Sequence, residues 1–254
     1  MPRSVRRVTA IAALALVTLL PATASASHSW GGYHWARTSN PFVLKVGDNV
    51  DSKWDAYLDT SISDWSASSV LDLSKVAGQA GRPRQCRPTT GRVEVCNTTY
   101  GNNGWLGVAG ISVSGSHITK AYVKLNDTYF NTAGYDTPAW RNLVMCQEIG
   151  HTFGLDHQDE DFGNANLGTC MDYTNNPESN QHPNRHDFDQ LESIYAHLDA
   201  TSTVGAAAPS SGQARGAAAG AFGRLVASTH NGRVQTFVRD LGNGRLEISR
   251  VIWA

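Results

Sequence analysis

Apart from one segment near its start, the sequence lacks any long apolar run. That segment, Val8 to Leu20, follows a basic opening and precedes the small residues Ala24-Ser25-Ala26. A run of this length is too short for a stable membrane anchor, and the three features together are typical of a secretory signal peptide. We therefore predict a signal peptide at residues 1–26, and a secreted, extracellular protein with no membrane partner.

An excess of positive charge is also missing. The chain has 21 Lys and Arg residues against 22 Asp and Glu residues, and the signal peptide contains three of the arginines and no acidic residue. Its removal leaves 18 basic against 22 acidic residues, a formal charge of −4. This mild acidity argues against nucleic acid as a partner. The hydrophobic content of 41% is ordinary for a globular protein that buries a core.

Two common metal-binding patterns are absent too. No two of the four cysteines have the C-x-x-C spacing of a cysteine zinc site, so disulfides are favoured over such a site. The acidic residues Asp159, Glu160 and Asp161 offer ligands of the kind that calcium binds, but their loop lacks the D-x-D-x-D-G pattern. A solvated acidic loop is therefore the favoured interpretation, and a Ca²⁺ site is the alternative.

The strongest signal in the chain is a predicted helix from Thr137 to about Phe153. Thr137 is a residue type that caps helices, and Pro138 suits the first helical position. Residues three, four and seven apart share a helical face, so one stripe of this helix contains Trp140, Val144, Gln147 and His151. The helix therefore presents an amide and an imidazole side by side.

The residues after this helix predict a return of the chain toward it. Gly154 tolerates the positive φ that other residues resist, so the backbone can leave the helix there. The turn then brings His157 back toward His151 and Gln147. Three ligand-type side chains converge, with Glu148 beside them.

This segment resembles a known zinc-protease signature. The sequence Gln147-Glu148-Ile149-Gly150-His151-Thr152-Phe153-Gly154-Leu155-Asp156-His157 resembles the metzincin motif H-E-x-x-H-x-x-G-x-x-H, with Gln in place of the first His. Met171, in Cys170-Met171-Asp172-Tyr173, resembles the Met-turn of the same superfamily. The stretches WLGVAGISVSGSHITKAYVKLND and HDFDQLESIY resemble strands and the closing helix of matrixin-like catalytic domains. The resemblance covers roughly residues 41–198.

The resemblance implies a zinc endopeptidase with defined residue roles. Gln147, His151 and His157 would hold Zn²⁺, Glu148 would take a proton from the attacking water, and Met171 would support the site from below. Tyr173 would donate its hydroxyl to the oxyanion. A neutral amide oxygen is a weaker zinc ligand than imidazole, so we expect reduced zinc affinity, and iron or manganese stays open as the metal.

Four alternatives stand beside these assignments. The helix could hold polar residues that bond only to one another, and Tyr173 could be an ordinary pocket-wall tyrosine. His28 or His34 could replace the missing histidine ligand. The chain could also be a non-catalytic secreted module that holds extended peptides in a protease-like cleft.

The expected partner is a protein or peptide substrate, bound by a monomer. By resemblance, the last strand before the active-site helix forms the upper rim of the cleft, where an extended substrate adds as one more strand. Residues 174–177 would form the outer wall of the pocket for the residue after the scissile bond. Matrixin precursors use a propeptide cysteine to cap the zinc, but no cysteine precedes Cys86, so we expect no such cap here.

Four cysteines allow three disulfide pairings. Cys86 and Cys96 bracket a glycine-containing turn, so a pair between them, across a predicted hairpin, is favoured. Cys146 is next to Gln147 and Cys170 is next to Met171. A bridge between these two would fix the metal-binding helix to the Met-turn.

The predicted fold is α+β. It comprises a metzincin-like catalytic domain, with a twisted mixed sheet, an active-site helix, a Met-turn and a C-terminal helix, and a small C-terminal β-meander. The predicted domains are the signal peptide at 1–26, the protease domain at 27–200, an Ala/Gly/Ser-rich linker at 201–222 and a three-stranded tail at 223–254.

Two further helices and seven strands are predicted. The helices are Asp51–Ser66, capped by Asp51, and Pro183–Leu198. The strands are Pro41–Val46, Val70–Val76, Trp105–Ala109, Ile118–Asn126, Leu225–Thr229, Val234–Leu241 and Leu246–Trp253. Asn231-Gly232 and Asn243-Gly244 predict the tail's hairpin turns.

Overall fold

A nine-stranded mixed β-sheet organises the computed structural model, which describes residues 27–205 and 222–253. The predicted signal peptide and most of the predicted linker lie outside the described residues. The strands are β1 His34–Trp35, β2 Phe42–Asn49, β3 Leu71–Ala77, β4 Val93–Thr98, β5 Trp105–Ser114, β6 His117–Asn126, β7 Arg224–Thr229, β8 Val234–Gly242 and β9 Arg245–Trp253. The helices are α1 Asp55–Trp65, α2 Asp127–Phe130, α3 Pro138–His151 and α4 Arg185–Ile194, with short 3-10 turns at Pro177–Ser179 and His230–Gly232.

The strands of the sheet pair in parallel on one side and antiparallel on the other. Its order is β3-β2-β4-β6-β5-β9-β8-β7, with β1 beside β6. The pairs among β1, β2, β3, β4 and β6 are parallel, while β5, β7, β8 and β9 pair antiparallel. This mixture with separate helices makes the fold α+β, as predicted. Among the described residues, no helix has the length and apolar character needed to cross a membrane.

Helix α3 forms at the position that the sequence predicts. The Thr137 hydroxyl accepts a hydrogen bond from the Trp140 backbone N–H at 3.3 Å, and Pro138 occupies the first turn. The helix packs on β5, where a glycine permits close approach: a Cβ on Gly107 would lie 2.4 Å from Oε1 of Glu148. Gly154 has a φ of +98°, and a Cβ there would lie 2.0 Å from the Tyr33 carbonyl oxygen. The chain leaves α3 at this glycine, as the sequence predicts.

Two local predictions are wrong. Helix α1 begins at Asp55 after an N-terminal residue, Trp54, that makes no side-chain cap. Asp51 is not the cap, because its carboxylate accepts a hydrogen bond from the Lys53 backbone N–H in the preceding turn. The segment from Cys86 to Cys96 is not a hairpin either: Cys86 lies in a loop with a φ of +43°, and only Cys96 lies in a strand.

Both favoured disulfide pairs are present. Cys86 bonds to Cys96, and Cys146 bonds to Cys170, each with a Cα–Cα distance of 5.9 Å. The second bridge joins α3 to the segment that contains Met171, as the sequence predicts.

The C-terminal tail continues the main sheet. Strand β9 pairs with β5 from Trp105 opposite Trp253 to Ser114 opposite Arg245, and β8 and β7 follow outward. Both Asn-Gly turns have the left-handed backbone that such hairpins need, with φ of +56° at Asn231 and at Asn243. The division of the chain into domains stays a prediction.

Candidate metal centre

Two imidazoles meet at the C-terminal end of α3. Nε2 of His151 lies 3.0 Å from Nε2 of His157, and both side chains are buried. Nδ1–H of His151 donates to the Leu155 carbonyl oxygen at 2.9 Å, which leaves Nε2 of His151 with a lone pair. We assign the proton between the two rings to Nε2 of His157. His151 is therefore held in the tautomer that offers Nε2 to a metal.

Gln147 and Glu148 precede His151 on α3, and neither side chain is satisfied. Both have 0% exposure. Neither amide atom of Gln147 and neither carboxyl oxygen of Glu148 makes a hydrogen bond to a described residue. A buried polar group without a partner costs about 1–3 kcal/mol, so a native structure needs a reason to keep four such atoms together. A bound divalent cation with its water satisfies oxygen atoms of this kind, so the residues present fit a metal ion.

Tyr173 completes the set predicted from the sequence. Its ring centroid is 4.1 Å from that of His157, and its buried hydroxyl also has no hydrogen-bond partner among the described residues. Tyr173 and Gln147 line one cavity of about 300 Å³. The name candidate metal centre is used below for Gln147, Glu148, His151, His157 and Tyr173.

Burial sets the protonation states of these side chains. Desolvation lowers the pKa of His151 and of His157 well below the usual value, so both imidazoles are neutral near pH 7, the form that binds metals. Desolvation raises the pKa of Glu148 well above its usual value. The Ala109 backbone amide and the Arg250 guanidinium only partly oppose that rise, and the amide approaches the carboxyl without the geometry of a hydrogen bond. In this closed arrangement the carboxyl favours its neutral form.

The tail places a guanidinium against the candidate metal centre. Arg250, on β9, donates from Nη2 to Nδ1 of His157 at 3.2 Å. The same nitrogen pairs with Glu160 and, at 2.7 Å, with Oδ1 of Asp156, while Nη1 donates to Oδ2 of Asp156 at 3.0 Å. Arg250 was not predicted from the sequence, because nothing in its local pattern distinguishes it from other arginines in a strand.

This contact works against metal binding at His157. A guanidinium only donates, so Nδ1 of His157 must accept and its proton must sit on Nε2, the atom that would otherwise face a metal. The positive charge of Arg250 also repels a cation nearby. If Arg250 withdraws, Nδ1–H of His157 can donate to Glu160, whose Oε1 lies 3.2 Å away, and Nε2 becomes free.

The strand predicted to receive substrate is not an edge of the sheet. The last strand before α3 is β6, which lies between β4 and β5, so that prediction is wrong. The neighbouring strand β5 is covered by the tail, because β9 pairs with it antiparallel, Gly107 opposite Ile252 and Ala109 opposite Arg250. Ile252 and Trp253 line the same cavity as Gln147. An extended segment of the chain itself therefore occupies the edge of β5 that faces away from β6.

Met171 lies directly against α3. A Cβ on Gly150 would be 2.7 Å from the Met171 sulfur and 2.9 Å from the Trp65 ring, so a side chain at that position would displace one of them. The backbone N–H of Gln158 donates to the Met171 carbonyl oxygen at 2.6 Å, which ties this segment to the residue after His157. The Cys146–Cys170 bridge holds the same segment from the other side.

Removing that bridge tests this support. We expect Cys146→Ala with Cys170→Ala to lower the free energy of unfolding by about 3 kcal/mol, because the bridge closes a loop of 24 residues. Zinc affinity should fall at least tenfold, as it does when groups that orient ligands are lost. Urea unfolding and chelator competition measure the two effects. The matched control is Cys86→Ala with Cys96→Ala, which should lose similar stability while keeping the zinc affinity; equal zinc affinity in both variants would contradict the account.

Other predicted residues lie elsewhere or have other partners. Nε2 of His28 lies 3.1 Å from Nδ1 of His186, and His34 belongs to a separate cluster described below, so neither replaces the missing histidine. Thr174 and Asn175 line the cavity beside Gln147, but residues 176 and 177 do not.

The structure does not support calcium in the acidic loop, because its carboxylates bond to protein donors. Asp159 accepts from the Asp161 backbone N–H and from Asn164. Asp161 accepts from the Gly163 backbone N–H, and Glu160 pairs with Arg250.

Comparisons with known proteins find only distant structural similarity. No family model matches the chain, and no curated protein sequence matches it. High choriolytic enzyme 1, a hatching enzyme zinc-protease from the medaka fish Oryzias latipes, is 11% identical with a TM-score of 0.37, over 64% of this chain and 94% of that chain. Myroilysin is 12% identical with a TM-score of 0.39, over 66% of this chain and 98% of that chain. Likenesses this distant carry no argument about the function of this chain.

Proposed function

We propose that this chain is a secreted, metzincin-like metal-dependent endopeptidase, held closed in the described structure by its own C-terminal tail. The observation that carries the proposal is a buried, unsatisfied amide and carboxyl beside two neutral imidazoles that meet at 3.0 Å. In a helix with a purely structural role, four buried polar atoms without hydrogen-bond partners would only destabilise the fold. Three neutral ligands and one adjacent carboxyl are the donor set of a hydrolytic zinc site.

Each residue has a defined task in this proposal. Gln147 through Oε1, and His151 and His157 through Nε2, would hold Zn²⁺, and the metal supplies Lewis acidity that polarises the scissile carbonyl and lowers the pKa of water. Glu148 takes a proton from the attacking water and passes it to the nitrogen of the leaving amine. The Tyr173 hydroxyl, which has no other described partner, donates to the oxyanion that develops on the carbonyl oxygen.

The tail explains why the described site is closed. With β9 on β5, no unpaired edge of β5 remains for a peptide, and the Glu148 carboxyl is fully buried. Departure of β9 would open that edge, hydrate Glu148 so that it ionises, and remove Arg250 from His157. An extended protein substrate would then pair with the backbone of β5, with little dependence on its own side chains.

A non-catalytic peptide-binding module is the competing function, and Gln147 is the observation that favours it. An amide in place of imidazole weakens the metal site, and a cleft without metal could still bind an extended chain. Zinc content and cleavage by protein with a released tail discriminate the two. Zinc-dependent cleavage supports the enzyme, whereas peptide binding with neither zinc nor cleavage supports the module.

Replacing the unusual ligand tests the geometry of the helix. We expect Gln147→His to raise zinc affinity at least tenfold, because an imidazole on this face of α3 is a stronger zinc ligand than an amide oxygen. Chelator competition on the full chain measures the affinity. Asn142→His, a half-buried position on the same helix that bonds to Gln181, is the control and should leave the affinity unchanged. If the two variants behave alike, Gln147 does not face a metal.

A further inference from the structure

A second group of metal-ligating side chains lies outside the candidate metal centre. It consists of His34 on β1, His117 at the start of β6, and His197 and Asp199 after α4. The Nε2 atoms of the three histidines approach one carboxylate oxygen, Oδ1 of Asp199, at 3.7, 3.1 and 3.7 Å respectively. Nε2 of His34 and Nε2 of His197 are 3.2 Å apart. We propose that His34, His197 and Asp199 form a structural zinc site, in which His117 orients the Asp199 carboxylate.

The separations match those of a tetrahedral site. Ligands about 2.0–2.2 Å from a zinc ion at the corners of a tetrahedron lie about 3.3–3.5 Å from one another. The three separations among His34, His197 and Asp199, at 3.2, 3.7 and 3.7 Å, lie close to that value. Hydrogen bonding accounts for the 3.2 Å contact only, because 3.7 Å is beyond hydrogen-bond range. A shared ion accounts for all three.

Neighbouring groups already orient two of the ligands. Nδ1–H of His34 donates to the Gly32 carbonyl oxygen at 2.9 Å, which leaves the lone pair of Nε2 facing the cluster. The other oxygen of Asp199, Oδ2, accepts from Nη1 of the buried Arg37 at 2.9 Å and from the Arg37 backbone N–H at 3.2 Å. Arg37 thus occupies one oxygen of the carboxylate and leaves Oδ1 for the ion. These are the supporting contacts that metal ligands typically have.

The position of the cluster indicates a structural role. Its ligands come from the first described strand and from the segment after α4, so an ion would join two distant parts of the chain. His117, on β6, approaches the Asp199 carboxylate and so connects the sheet to the same cluster. The side chains of His117 and His197 are 37% and 55% exposed, so an ion can reach the cluster from solvent. The cluster shares no residue with the candidate metal centre.

Zinc content of the full chain tests the proposal. After equilibration with zinc and removal of excess ion, His197→Ala should contain one zinc per chain less than the wild-type protein, by plasma mass spectrometry. His182→Ala is the matched control, because His182 is similarly exposed, at 57%, and its Nδ1 contacts only one carboxylate, that of Asp64. The control should keep the wild-type zinc content.

Thermal unfolding gives a second measurement of metal binding that does not depend on catalysis. A chelator should lower the Tm of the wild-type protein and of His182→Ala by several degrees through loss of bound ion, in addition to any effect at the candidate metal centre. The shift should be smaller in His197→Ala, which is expected to fold because its side chain is 55% exposed. Wild-type zinc content in this variant would overturn the proposal. His151→Ala separates the two sites, because it should remove zinc from the candidate metal centre alone.

Discussion

Val251→Pro should raise chelator-sensitive cleavage of an unfolded protein substrate about tenfold. Val251 is fully buried in β9, between β5 and β8, where it lies opposite Val108 and Gln235. Proline inside a central strand removes a ladder hydrogen bond and leaves its buried acceptor unsatisfied, at a cost of about 1–3 kcal/mol. Each 1.4 kcal/mol changes the ratio of open to closed tail tenfold. Cleavage assayed with added zinc, with and without chelator, measures the effect.

Val226→Pro is the control for this experiment. Val226 lies in the same tail on the edge strand β7, at an irregularity between Leu225 and Ala227, and its side chain is 43% exposed. Proline is tolerated at such edge positions, so the cleavage rate should stay at the wild-type value. A folded Val251→Pro protein that cleaves no faster than this control would show that the tail does not close the site.

Glu148→Gln in the Val251→Pro background should lower the cleavage rate by about 10²–10⁴-fold, the usual contribution of a general base. The amide keeps the shape that fits against Gly107 but cannot accept the proton of the attacking water. Zinc content should not change, because Glu148 is not assigned as a ligand. Glu178→Gln, on the exposed turn before α4, is the control and should leave the rate unchanged. Retained cleavage in the Glu148 variant would remove the role assigned to this residue.

Helix α3 was predictable because its signals are local. Thr137, Pro138 and Gly154 mark its ends, and helical spacing alone places Gln147 and His151 on one face. The return of His157 follows from the backbone freedom of one glycine. Helix α1 was less well predicted, because Asp51 stabilises the turn before the helix instead of its first residue.

The pairing of the tail with β5 could not be predicted in the same way. The two Asn-Gly turns predict hairpins within the tail, but no local pattern indicates which strand of the main sheet β9 will pair with. The role of Arg250 depends on that pairing and was missed with it. The histidine cluster was missed for a related reason: His34, His117 and His197 come from three separate segments, so their spacing in the sequence resembles no metal motif.

The most direct test of the account is zinc-edge anomalous diffraction from crystals of the Val251→Pro protein equilibrated with zinc. The account predicts a peak about 2 Å from Nε2 of His151 and Nε2 of His157, with Oε1 of Gln147 as the third protein ligand. A peak at the cluster of His34, His117, His197 and Asp199 is also expected and does not bear on this claim. Anomalous density at that cluster alone, with His151 and His157 still bonded to each other, would contradict a metal-dependent hydrolase.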